Sequence, residues 1–376
     1  MAVTLAVLAG ALTIVNTLDS GFAGEIERID DQQRLRVAVD ALATDLARAG
    51  TGTYQGRAAA SMSTATVFPF RQGASGSDAP GTVRADVLTV VYVLPQTALQ
   101  TTIRQPFQAR SGSALINLDP GCPAGDATCG FAAGSDVMLS DESGAFDTFR
   151  VLSVLPGSLQ LQHTMVDTTQ TFEAGARLAE AVSRTYYLKS DMSADTFQLM
   201  RYDGVASDAA VVDHVVGLSF ELFGEPAPPM LVRPVTAPTG PWTSYGPKPP
   251  PLDVQTTAYP AGENCLFQLD ASGLQQLPRL AALRGGGEST LVKLSDAQLR
   301  DGPWCPDGTN AHRYDADLLR IRRVSVSLRV ESALAALRGP AGSLFARAGT
   351  SRSSRNWVPD QEIRFDVSPP NLNAGR

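Results

Sequence analysis

Met1-Ala2-Val3-Thr4-Leu5-Ala6-Val7-Leu8-Ala9-Gly10-Ala11-Leu12-Thr13-Ile14-Val15-Asn16-Thr17-Leu18 opens the chain without a charged side chain, and the stretch behind it, Glu25 to Ala49, is amphipathic and laced with charge. The opening block has three readings. A secretory signal peptide has a basic n-region, but no Lys or Arg precedes Arg28. A free-standing membrane anchor needs roughly 20 apolar residues and a basic flank to orient it. The reading adopted is a membrane helix whose beginning lies upstream, with Val3, Leu5, Val7, Leu8, Leu12, Ile14, Val15 and Leu18 as its apolar surface.

Leu35, Val39, Leu42, Leu46 and Ala49 recur at the three-to-four spacing of one helical face. No proline interrupts the chain before Pro69, and Gly50 and Gly52 supply a stop. The two stretches therefore join into one helix of about 50 residues, or about 75 Å at 1.5 Å per residue. Gly21 and Gly24 are its weak points, each costing about 1 kcal/mol relative to Ala. The alternative is two helices broken at Asp19-Ser20-Gly21.

Beyond Gly50 the pattern changes to strands. Asp86 to Leu94 is β-branched and apolar, and Pro95 ends it. Leu159-Gln160-Leu161-Gln162-His163 alternates with period two. Arg184–Lys189, Thr196–Tyr202 and Val215–Phe223 read as further strands, and Ile363, Phe365 and Val367 as the last. Leu319 and Ile321 alternate in one phase and Val324, Val326, Leu328 and Val330 in the other, which predicts a bulge near Arg322-Arg323. Ten prolines between Pro226 and Pro251 exclude a helix or a central strand there. The chain thus divides into a helix at 1–50, a β-rich region at 51–225, a proline-rich loop or linker at 226–260, and a second β-rich part at 261–376.

The run Arg34-Leu35-Arg36-Val37-Ala38-Val39-Asp40-Ala41-Leu42-Ala43-Thr44-Asp45-Leu46-Ala47-Arg48-Ala49-Gly50 resembles the segment that closes the long helix of PilW-type minor pilins. Phe172–Leu178 leading to Thr185-Tyr186-Tyr187-Leu188, then Leu199-Met200-Arg201-Tyr202, is similar to that family's central hairpin. Glu362–Asn373 is similar to its terminal strand and asparagine-leucine tail. The resemblance spans most of the chain as a pattern. It implies a minor type IV pilus subunit, held in the inner membrane with a periplasmic domain and then carried into the filament, priming assembly or sitting at the tip. Its implied partners are other pilin-like subunits through the N-terminal helix, the inner-membrane assembly machinery and the lipid bilayer. One departure stands out: the family's Gly-Phe-x-Leu-x-Glu processing motif is absent, and Gly21-Phe22-Ala23-Gly24-Glu25 does not match it. The motif is expected in codons upstream of Met1. A type II secretion minor pseudopilin has the same plan, and a membrane-tethered exported binding module or hydrolase is the alternative of another class.

Composition agrees with a non-catalytic exported protein. Net charge is −7, which argues against a generic nucleic-acid surface. Four cysteines in an exported chain suggest disulfides, with three possible pairings. Cys122–Cys129 and Cys265–Cys305 are preferred because each pair lies within one half of the domain. Zinc is the rival, but the cysteine spacings are wide and His163, His214 and His312 are scattered. No nucleophile elbow, phosphate loop, H-E-x-x-H or C-x-x-C occurs. Asp141, Glu142 and Asp147 read as a solvated turn before a calcium site, and Asp315, Asp317, Arg320, Arg322 and Arg323 as a surface cluster. No catalytic, cofactor or metal residue is assigned. The expected architecture is α+β and pilin-like: one long N-terminal helix, its first half in the membrane, packed through Leu35, Val39, Leu42 and Leu46 onto antiparallel sheets.

Overall fold

Helix α1 runs from Ala2 to Arg48 in a computed structural model of the chain. The structure describes residues 2–51, 65–71, 82–83, 86–93, 99–108, 110, 112–118, 122–140, 146–163, 171–193, 195–204, 208–226, 267–269, 276–278, 290–300, 318, 320–340, 342–345, 350 and 358–373, the side chains of the helix being described from Phe22 onward. Gly50, at φ +75°, takes the left-handed conformation that caps a helix C-terminus. Thr51 N then bonds back to Arg48 O at 2.8 Å.

Strands dominate everything after the helix. In chain order they are β1 Val67–Phe68, β2 Leu88–Tyr92, β3 Gln100–Thr102, β4 Phe107–Gln108, β5 Gly112–Leu115, β6 Asp136–Ser140, β7 Phe146–Leu155, β8 Ser158–His163, β9 Thr171–Phe172 and β10 Arg177–Glu180. There follow β11 Val182–Asp191, β12 Thr196–Tyr202, β13 Asp208–Val212, β14 Val215–Gly224, β15 Phe267–Leu269, β16 Gln276–Pro278, β17 Val292–Leu294, β18 Ile321–Val330 and β19 Gln361–Val367. A five-residue helix α2, Asp296–Arg300, follows β17.

Three antiparallel sheets organise these strands. One has the order β1-β2-β11-β12-β13, a second β3-β10-β6-β7-β8-β5, and a third β17-β14-β18-β19. β14 precedes the proline-rich stretch, whereas β17 and β18 follow it, so the third sheet closes across that insertion. Its register slips by one residue where Gly224 faces Ile321 and Phe223 faces Arg323, leaving Arg322 as the extra residue of a bulge. Gly224 belongs there because a Cβ would meet Arg320 O at 2.1 Å.

Two cores result. The main one gathers Leu42, Leu46 and Ala49 of α1 with Leu88, Val90, Tyr186, Leu188, Leu199, Val215, Val324, Val326 and Leu328. All five residues of β2 are buried, as expected for a β-branched run covered on both faces. The second core lies within the six-stranded sheet and holds Ile103, Phe107, Phe131, Val137, Phe149, Leu161, Phe172 and Leu178.

The fold corrects the α+β expectation of a membrane-embedded, pilin-like helix on sheets. The described residues are mostly strand, and among them no helix is long and apolar enough to cross a membrane. The part of α1 whose side chains are described carries Glu25, Glu27, Arg28, Asp30, Asp31, Arg34, Arg36, Asp40, Asp45 and Arg48, the charge-laced half expected to dock on the sheets and too charged for a hydrocarbon environment. The side chains of Val3, Leu5, Val7, Leu8, Leu12, Ile14, Val15 and Leu18 lie outside the described residues.

Candidate functional site: the seam between helix and β body

Helix α1 meets the body through two chemically different halves. In the C-terminal half, Ala38, Leu42, Leu46 and Ala49 are buried, while Leu35 and Val39 pack part-buried against the same core. Asp45 is the one charge on this face, and it is fully served: Tyr92 Oη donates to it at 2.9 Å and Tyr186 Oη at 2.6 Å. Burial, reinforced by the neighbouring Asp45 carboxylate, raises the pKa of both phenols. The tyrosines therefore stay neutral donors at any physiological pH.

In the preceding half the inward face is charged. Glu27 accepts from Ser332 Oγ at 2.6 Å and from Leu334 N at 3.3 Å. Arg34 is shared among Asp30 at 2.6 Å, Asp31 at 3.3 Å and Asp213 at 2.9 Å. Beneath them lies Glu331, fully buried, which takes hydrogen bonds from Thr196 Oγ1 at 2.9 Å and Thr350 N at 3.1 Å, and pairs with Arg338 at 3.4 Å. Arg338 also approaches His214 Nδ1 at 3.4 Å. Burial lowers the His214 pKa, so the imidazole is held neutral. Arg329, buried on β18, pairs with Glu362 at 2.7 Å and lies 3.8 Å from Asp360.

The outward face is mixed: four large apolar side chains stand exposed among Glu25, Arg28, Gln32, Gln33, Arg36 and Asp40. Phe22, Ile26, Ile29 and Val37 are 67, 66, 57 and 51% exposed. Their spacings place them along one side of the helix. Over residues 22–34 two carboxylates, Glu27 and Asp31, thus face the protein, while Phe22, Ile26 and Ile29 face away among polar neighbours.

Other residues singled out in the sequence are dispersed. Cys122 and Cys129 form a disulfide beside the second core, whereas Cys265 and Cys305 lie outside the described residues. The closed loop is short, so reduction is expected to cost about 2–3 kcal/mol in the chain-entropy account, and urea unfolding of a Cys122→Ser/Cys129→Ser variant measures it. Asp147 bonds His163 Nε2 at 2.8 Å, but the side chains are 0 and 1% exposed, so the pair is sealed from any substrate. Asp141, Glu142, Asp315 and Asp317 lie outside the described residues. Arg320 and Arg322 are buried, not superficial: both hold Glu225, through its carbonyl at 3.0 Å and its carboxylate at 3.2 Å. Among the described residues no group of histidines, cysteines and carboxylates is arranged to hold a metal ion.

The inward Glu27, Asp31 and Arg34 were not singled out from the sequence. Their signal was present: Gly24, Glu27, Asp31 and Ala38 continue the three-to-four rhythm of the buried face. No family model and no curated protein matches the chain.

Proposed function

We propose that the chain is a minor subunit of a type IV pilus, of the PilW kind, that joins its filament through the outward face of α1 and acts in priming assembly or at the tip. The observation that carries this reading is the row Phe22, Ile26, Ile29 and Val37, exposed on a helix whose opposite side is already fastened to the β body. Large apolar side chains exposed in a row on one side of a helix suit association with another apolar surface. The partner of such a face is another helix with an apolar seam, supplied in this reading by neighbouring pilin-like subunits. Glu25, Arg28, Arg36 and Asp40 flank the row with both signs of charge, suited to setting register between helices. The β body then works outside the cytoplasm, where a disulfide such as Cys122–Cys129 persists. Assembly is a mechanical task and assigns no residue to bond chemistry.

Replacing both Ile26 and Ile29 by lysine tests the reading. Exposed positions away from special contacts change stability by only about ±0.5 kcal/mol, so the urea midpoint should hold. The protein should disappear from sheared filament fractions while remaining in the cells. Filaments containing the double variant at the wild-type level, or wild-type filaments lacking the chain altogether, would refute it.

A further inference from the structure

Among the described residues, the seam at residues 22–34 gathers more carboxyls than cations. Arg34 on α1 links Asp30 and Asp31 to Asp213, Glu27 bonds Ser332, His214 lies against Arg338 and Asp213, and Asp360 is in electrostatic reach of Arg329, Glu331, Glu362 and Asp31. The three described guanidiniums are committed in different directions: Arg34 to Asp30, Asp31 and Asp213, Arg338 to Glu331, and Arg329 to Glu362 at 2.7 Å with Asp360 farther off at 3.8 Å. Burial lowers the His214 pKa and disfavours its charged form. Glu27 has Ser332 and Leu334 as donors.

Two carboxyls are left short. Asp31 is fully buried, and its Oδ2 has no hydrogen-bond partner. Asp360 is also buried, and neither of its oxygens has one. The segment bearing Asp360 lies directly against the helix: a Cβ on Gly24 would sit 3.8 Å from Val358 Cγ2. An ionised carboxylate without donors is costly in such a place, whereas a protonated one is neutral and gains an O–H to donate.

We propose that Asp31 and Asp360 form a proton-held clasp between α1 and the β body, closed when both carboxyls are protonated and released when both ionise, freeing residues 22–34 of the helix while its C-terminal half stays docked. The titration range supports this geometry. Desolvation, opposed by Arg34 and reinforced by Glu27 and Asp30, brings Asp31 up to about 6. Desolvation and Glu331, opposed by Arg329 and reinforced by Glu362 and Asp31, bring Asp360 up to about 7. Both values are raised from 3.8. The closed state is therefore fully favoured at acid pH, near and below the ordinary carboxyl value. It is lost as pH rises through the raised values, between about 6 and 7. Leu42 and Leu46 feel no such change, and Asp45 already has two donors. The hinge therefore falls between Arg34 and Ala38.

Hydrogen exchange on the full chain at pH 5 and pH 8, corrected for intrinsic rates, tests the clasp. Protection of amides 22–34, taken relative to amides 42–48 of the same helix, should fall by more than about tenfold between the two conditions. In Asp31→Asn/Asp360→Asn the ratio should become independent of pH, because each amide mimics the protonated acid. The wild-type measurement needs no variant, and either single asparagine variant should give an intermediate response if the double fails to fold. A wild-type ratio that does not change between pH 5 and pH 8 overturns the proposal. So does a folded double variant that keeps the wild-type response.

Discussion

Leu42→Asp is expected to unfold the domain at room temperature. Leu42 is completely buried where α1 meets the sheets containing β2 and β18. Truncating a buried leucine costs about 2–5 kcal/mol by itself. The aspartate adds an unpaired carboxyl with no donor left to receive it, since the nearby tyrosine hydroxyls are committed to Asp45. Together these approach the ~5–15 kcal/mol that a typical domain has in total. Leu42→Ala should retain the fold with a lowered midpoint, which separates the cavity from the charge. Circular dichroism under thermal or urea denaturation measures both. A Leu42→Asp midpoint within a few degrees of wild type would mean that this half of the helix does not hold the core.

Glu331→Ala should be nearly as damaging, by a different route. The substitution removes the carboxylate paired with the almost wholly buried Arg338, leaving its charge on the Ser332 and Asp195 carbonyls, and removes the acceptor used by Thr196 and by Thr350. Breaking a buried ion pair from one side typically costs about 3–5 kcal/mol. Replacing both members with apolar residues of similar volume, Glu331→Leu with Arg338→Met, should recover much of that loss, because neither charge then remains unmatched. Urea midpoints of the single and double variants give the comparison. A double variant no more stable than Glu331→Ala would show that the pair is not the source of the damage.

The contrast between these two sites explains what could be read in advance. Leu35, Val39, Leu42 and Leu46 announce a buried helix face because apolar side chains at regular spacing carry their meaning locally. The bulge at Arg322 is legible for the same reason, since a change of alternation phase is a local event. Glu27, Asp31 and Arg34 obey the same spacing, yet their chemistry argues for solvent. They face inward only because Asp213, Ser332 and Asp360, far away in sequence, provide or deny them partners. Several short strands, among them β4 and β9 with two residues each, carry too few positions for any periodicity to register. The expected membrane-embedded first half is not shown: among the described residues no helix is long and apolar enough to cross a membrane, and the described side chains of α1 belong to the charged half that was already legible as amphipathic.

The main core also joins α1 to the segment that follows β19. Asn371 Nδ2 donates to Thr51 Oγ1 at 2.7 Å across a sequence separation of 320 residues, and Val367 and Leu372 pack against the cluster that contains Leu42. The helix thus depends on residues synthesised more than 300 positions after it. At ~5–20 residues per second of translation, the face of α1 bearing Leu42 and Leu46 waits roughly a quarter of a minute to a minute before the strand that completes its core exists. Strands β2, β11, β12 and β14 cover part of that face earlier, but its closure awaits β18 and β19, so a holding chaperone bound there would be released in step with their arrival. A stop codon placed just before Gln361 would withhold that release, converting a transient client into a permanent one.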